Sequence, residues 1–96
     1  MRKSNTQPIG AVISEYLKAL DIDHKIQEIR IMDNWPNVVG LTIAKKTDKL
    51  YIKNRVLFVY MNSSIMRSEL LRIRESLPKA LNERVGAKVI DEVVIR

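Results

Sequence analysis

The stretch KLYIKNRVLFVYMNSS, residues 49–64, decides the architecture. Leu50 and Ile52 share one parity, and Leu57, Val59 and Met61 share another. Tyr51, Lys53, Val56, Phe58 and Tyr60 fill the alternate positions. Successive side chains of a strand point to opposite faces, so this pattern predicts two strands, each with one face toward a core. Between them KNR (53–55) fits a tight hairpin turn in which Asn54 takes positive φ. The opposite face of the hairpin is then rich in Tyr51, Lys53, Phe58 and Tyr60.

Upstream, residues 1–7 are polar and read as a flexible arm, and residues 8–96 read as one domain. Pro8 suits a first helical turn, and Ile9, Ile13, Tyr16, Leu17 and Leu20 recur at helical spacing, predicting a helix over 8–20. DID (21–23) reads as a short connection, with Asp23 capping the next helix. From there Ile26, Ile29, Met32, Trp35, Val39 and Ile43 keep steps of three and four. Pro36 interrupts that stripe, so either a kinked helix or two helices in a very tight break is expected, with Asp33 or Asn34 as cap. Trp35, the single Trp, has the position of a core anchor, its indole N–H needing a partner if buried. Gly40, one turn on, would let a neighbouring element approach closely.

Downstream, Ser63 or Ser64 can cap a third helix, whose stripe is Met66, Leu70, Ile73, Leu77, Leu81 and Val85. Pro78 predicts a bend near Ser76–Leu77, and Gly86 a left-handed helix end. KVIDEVVIR (88–96) reads as a last strand. The order is α-α-β-β-α-β. It predicts an α+β fold with a three-stranded sheet and helices packed on one face.

Composition narrows function mainly by elimination. The chain has no Cys, which removes thiolate nucleophiles and Cys-based zinc sites. His24 is its single His, and no His/Asp/Glu cluster has metal spacing. The three glycines, Gly10, Gly40 and Gly86, form no phosphate-cradling loop. No enzyme, cofactor, metal or small-molecule substrate is expected. The sequence holds no membrane-span run and no signal peptide, so a cytoplasmic protein without a membrane partner is expected.

Residues 1–44 hold five basic and five acidic residues, whereas residues 45–96 hold twelve and six, so the whole net charge of +6 lies in the second half. Such a surface suits a polyanion. The candidate nucleic-acid contacts are Lys45, Lys46, Lys49, Lys53 and Arg55 around the hairpin, and Arg67 and Arg74, seven apart on the third helix. Tyr51, Phe58 and Tyr60 interleaved with Lys53 match the aromatic-basic strand face on which single-stranded bases stack. The competing expectation, favoured because few other rings could fill so small an interior, is that helices cover both hairpin faces and the rings are core.

Several of these pieces occur together in a known family. Trp35 followed by VVG (38–40), IAKKT (43–47), LFVYMNSS (57–64) and SELLRIRESLPKALNERVG (68–86) resembles, in order and spacing, the DciA-like family of bacterial replication proteins. Leu57, Val59, Met61, Ser63–Ser64, Glu69–Leu70, Leu81–Asn82 and Gly86 fall where that family has similar residues. The resemblance implies a KH-like domain, DNA binding and a part in loading the replicative helicase, hence a non-catalytic adaptor with DNA and the helicase as partners. The G-x-x-G loop with which KH domains clamp RNA is absent. The alternatives are a protein-interaction module whose basic half docks an acidic partner, and an RNA-binding KH-like domain.

Overall fold

Helix formation runs without interruption from Ile9 to Asp33 (α1), 25 residues in which the sequence predicted two helices. DID (21–23) contains neither Gly nor Pro. One turn apart, Lys25 Nζ and Asp21 Oδ2 pair at 3.4 Å across it. Asp residues favour caps only where a helix must end, so the expected connection and the Asp23 cap do not form. The computed structural model describes residues 9–96, so the N-terminal arm and Pro8 lie outside the described residues.

The break expected at Pro36 is the tight one. Asn34 N donates to Arg30 O at 3.0 Å and Ile31 O at 3.2 Å, closing α1, and α2 (Trp35–Val39) starts at once. Pro36 sits at the start of α2, where its missing N–H costs nothing. Gly40, at φ 92° and ψ 161°, then turns the chain into α3 (Leu41–Lys45). That backbone conformation, and not a close approach, is why glycine is needed: a Cβ there would meet nothing within 4 Å.

The hairpin forms as predicted: β1 (Thr47–Lys53) pairs antiparallel with β2 (Val56–Met61). Its turn has positive φ at both Asn54 (52°) and Arg55 (65°), the pattern that matches strand twist. Ser63 caps α4 (Ser64–Arg72), its Oγ accepting from Met66 N at 3.3 Å. A 3₁₀ turn at Arg74–Ser76 makes the expected bend, α5 (Leu77–Val85) follows, and Gly86 ends it at φ 82°. The last strand, β3 (Glu92–Ile95), is shorter than expected and pairs parallel with β2, giving the sheet order β1-β2-β3. Val89 and Ile90 are buried in the connection instead. Asn82 supplies the bonds that a strand would have supplied. Its Oδ1 accepts from Val89 N (3.0 Å) and Ile90 N (3.1 Å), and its Nδ2 donates to Ile90 O (2.8 Å).

The core lies between the helices and one face of the sheet. Ile31 and Trp35 meet Leu57, Val59, Met61 and Val93 from the strands and Leu70, Leu77 and Leu81 from α4 and α5. No charged or polar side chain among the described residues is fully buried. The result is the KH-like α+β arrangement, with helices on one side of a mixed three-stranded sheet.

Two substitutions weigh these devices. Trp35→Ala empties the centre of the core and is expected to cost about 3–5 kcal/mol. Asn82→Ala strands three backbone groups and is expected to cost about 2 kcal/mol or more. Urea unfolding measures both.

Candidate nucleic-acid interface

Which way each side chain of β1 points is set by an irregularity at its start. Thr47 pairs with Met61 and Lys49 with Tyr60, so Asp48 is an extra residue in the ladder. Without it Thr47 and Lys49 would share a face. With it Thr47 turns inward, where its Oγ1 accepts from Trp35 Nε1 at 3.0 Å and donates to Ile43 O at 2.9 Å. Lys49 turns outward. Asp48 Oδ1 accepts from Asn62 Nδ2 at 2.7 Å, holding the extra residue in place.

The sheet face away from the helices therefore carries three rows across the strands, set by register. One row is Lys49 and Tyr60, continued by Arg96, whose backbone bonds to Val59 and Met61 extend the β3 pairing. The next is Tyr51, Phe58 and Val94, and the last is Lys53, Val56 and Glu92. Tyr51 stacks on Phe58 with centroids 4.8 Å apart and planes at 13°, and lies 6.1 Å from Tyr60 at 20°. Lys49 Nζ stands 5.1 Å from the Tyr51 ring centre and 5.8 Å from that of Tyr60. The rings are half-buried by one another and belong to no core cluster, which corrects the expectation that helices enclose them. Hydrogen bonding with Tyr60 holds the Tyr51 phenol above its ordinary pKa, aided by burial, while the Arg96 charge pulls the other way.

The seven predicted cations divide. Lys49 and Lys53 stand on this face, and Lys45 and Lys46 lie at the end of α3 where the chain enters β1. All four are exposed and form no ion pair among the described residues. Arg55 is engaged elsewhere. Its Nε and Nη2 donate to the two Asp91 carboxylate oxygens at 2.9 and 3.0 Å, and Nη2 also donates to Lys88 O at 3.1 Å. Arg67 Nη2 donates to Met61 O at 3.0 Å, and its Nε is buried. The spacing that placed Arg67 and Arg74 on one side presumed a continuous helix, and the 3₁₀ turn intervenes. Arg96 was missed, although Glu92, Val94 and Arg96 alternate with Val93 and Ile95 and so expose it by parity.

Nothing else among the described residues competes as a chemical site. No three His, Asp or Glu side chains gather to hold a metal, and no helix is long and apolar enough to cross a membrane. A groove of about 780 Å³ beside α5, lined by Pro78, Lys79, Asn82, Ile90 and Asp91 among others, mixes both charge signs and lies away from the rings.

A KH-like domain with an uncovered aromatic-basic sheet face is thus the class that fold and surface define. The family model described as "Dna[CI] antecedent, DciA" matches residues 8–95, and the chain belongs to the DciA family. A "UPF0232 protein" of Corynebacterium glutamicum (strain R) is 25% identical over 89 residues, which is 93% of this chain and 50% of that protein. The chain thus spans about half the length of this curated relative. No solved structure matches.

The Arg55–Asp91 clamp makes stability acid-sensitive. The hydrogen bonds from Arg55 hold the Asp91 carboxyl below its usual pKa, so the clamp contributes fully above the unfolded value of about 4 and is lost as pH falls through the lower folded value. Asp91→Asn is expected to lower Tm at pH 7 and to flatten its fall below about pH 4. Thermal melts across that range check this.

Proposed function

We propose that the domain is a non-catalytic adaptor of bacterial DNA replication that binds DNA on its uncovered sheet face and serves helicase loading. Family membership supports the second part, since DciA proteins are known as helicase-loading adaptors. The single observation that carries the first is the stacked cluster of Tyr51, Phe58 and Tyr60, with Lys49, Lys53 and Arg96 around it.

The chemistry follows from that cluster. Aromatic faces accept any base by stacking, so the surface suits unpaired strands without reading sequence. The lysines neutralise phosphates and release counterions, which makes affinity fall steeply with salt. Lys53 extends the cationic track past Phe58, and Lys45 and Lys46 stand where α3 leads into β1. Arg55, Arg67 and Arg74 stand outside the proposed track, the first two held by Asp91 and Met61.

Fluorescence anisotropy with a labelled single-stranded oligonucleotide tests this. Tyr51→Ala is expected to weaken binding by about 1–3 kcal/mol, roughly 5- to 150-fold. Replacing Lys45, Lys46, Lys49 and Lys53 together by Glu is expected to abolish binding near physiological salt. Neutralising the same four should instead lower the salt slope by about 3. If both the ring variant and the Glu variant bind like the unaltered protein, DNA does not use this face. A basic half that instead docks an acidic protein would retain that partner from nuclease-treated lysate.

A further inference from the structure

Most of α1 is not part of the folded body. A compact chain of this length has a radius of gyration of about 12–13 Å, whereas this one has 18.1 Å and extents of 66 × 20 × 20 Å. The C-terminal part of α1 packs on α5, α2 and β1 and buries Ile31. The same helical face continues toward the N-terminus through Leu20, Leu17, Tyr16, Ile13, Val12 and Ile9, which are exposed by 48%, 58%, 64%, 53%, 51% and 78%.

An overhanging helix of this length is marginal in water unless its apolar face is covered. DNA does not suit it. Residues 9–33 hold five acidic and three basic side chains, against six acidic and twelve basic in 34–96. An anionic membrane is disfavoured for the same reason, since membrane-surface helices are rich in Lys and Arg on the polar face.

A second copy does suit it, because the stripe is complementary to itself. About a two-fold axis midway between residues 13 and 16, two antiparallel helices set Ile9 against Leu20, Val12 against Leu17 and Ile13 against Tyr16. Each contact then occurs twice, as a two-fold interface requires. The six side chains expose roughly 700 Å² per copy, so a pair has up to about 1,400 Å² to bury, within the range of a specific interface. The folded bodies lie at opposite ends of such a pair.

We infer that the protein is a homodimer joined by an antiparallel pairing of its α1 overhangs, centred between Ile13 and Tyr16. The inference does not depend on the proposed DNA surface. Sedimentation equilibrium of the full chain at micromolar to hundred-micromolar concentration is expected to give twice the monomer mass. Ile13→Asp is expected to give a monomer whose near-ultraviolet signal from Trp35 is unchanged, which reports an intact body. The chain has no Cys, so Ile13→Cys and Tyr16→Cys can be prepared separately and oxidised as a mixture. The mixed 13–16 disulfide should exceed both like pairs. A monomeric wild type at every concentration overturns the inference, including the case in which another protein captures the helix. So does an Ile13→Asp dimer, or disulfides formed without the 13–16 preference.

Discussion

The hydrogen bond from Trp35 Nε1 to Thr47 Oγ1 joins the helical layer to the sheet, and the rest of the architecture depends on it. The indole enters the core from the first turn of α2, directly after α1 ends. It finds its partner because Asp48 is an extra residue in the hairpin and turns Thr47 inward. Thr47 in turn donates to Ile43 O, tying α3 to the same point. α2, α3 and β1 thus converge on one threonine. The lone Trp stands beside a proline because the proline fixes the start of the short helix that carries it.

That wedge commits all helices to one side of the sheet. With the indole, Leu57, Val59 and Met61 filling the inner face, the outer face is left with its own side chains for cover. Tyr51, Phe58 and Tyr60 shield one another by stacking, and Lys49 lies over two of the rings. Such a surface tolerates water at its edges and still offers flat apolar area, the combination on which the proposed DNA contact rests. The arginines show the reverse economy. Arg55 ties the hairpin turn to the connection before β3, and Arg67 reaches from α4 to the end of β2, places where a planar fork with several donors is worth more than a mobile charge.

Much of this was legible in residue order because local signals agreed with the fold. Alternation fixed both hairpin strands, Asn54 marked the turn, Ser63 and Gly86 marked helix ends, and Pro78 marked the bend. The extent of α1 was not legible. Two Asp residues around Ile22 look like a cap, but nothing in DID forces a helix to stop, and the Asp21–Lys25 ion pair across it favours continuation. The final strand was overextended because Val89 and Ile90 are apolar for the core and not for a ladder, their backbone groups going to Asn82. The lysines near the hairpin were visible as charge, but the division between free lysines and engaged arginines needed coordinates. Asp91 lies 36 positions from Arg55, and no local pattern links them.

The most direct measurement is a titration of isotopically labelled protein with a short single-stranded oligonucleotide, followed by amide and aromatic NMR shifts. Shifts concentrated at Lys49, Tyr51, Lys53, Phe58, Tyr60 and Arg96, with the Trp35 indole N–H unmoved, are predicted. Shifts centred on α4 and α5, with the three rings silent, would contradict a one-sided sheet that meets DNA on its open face.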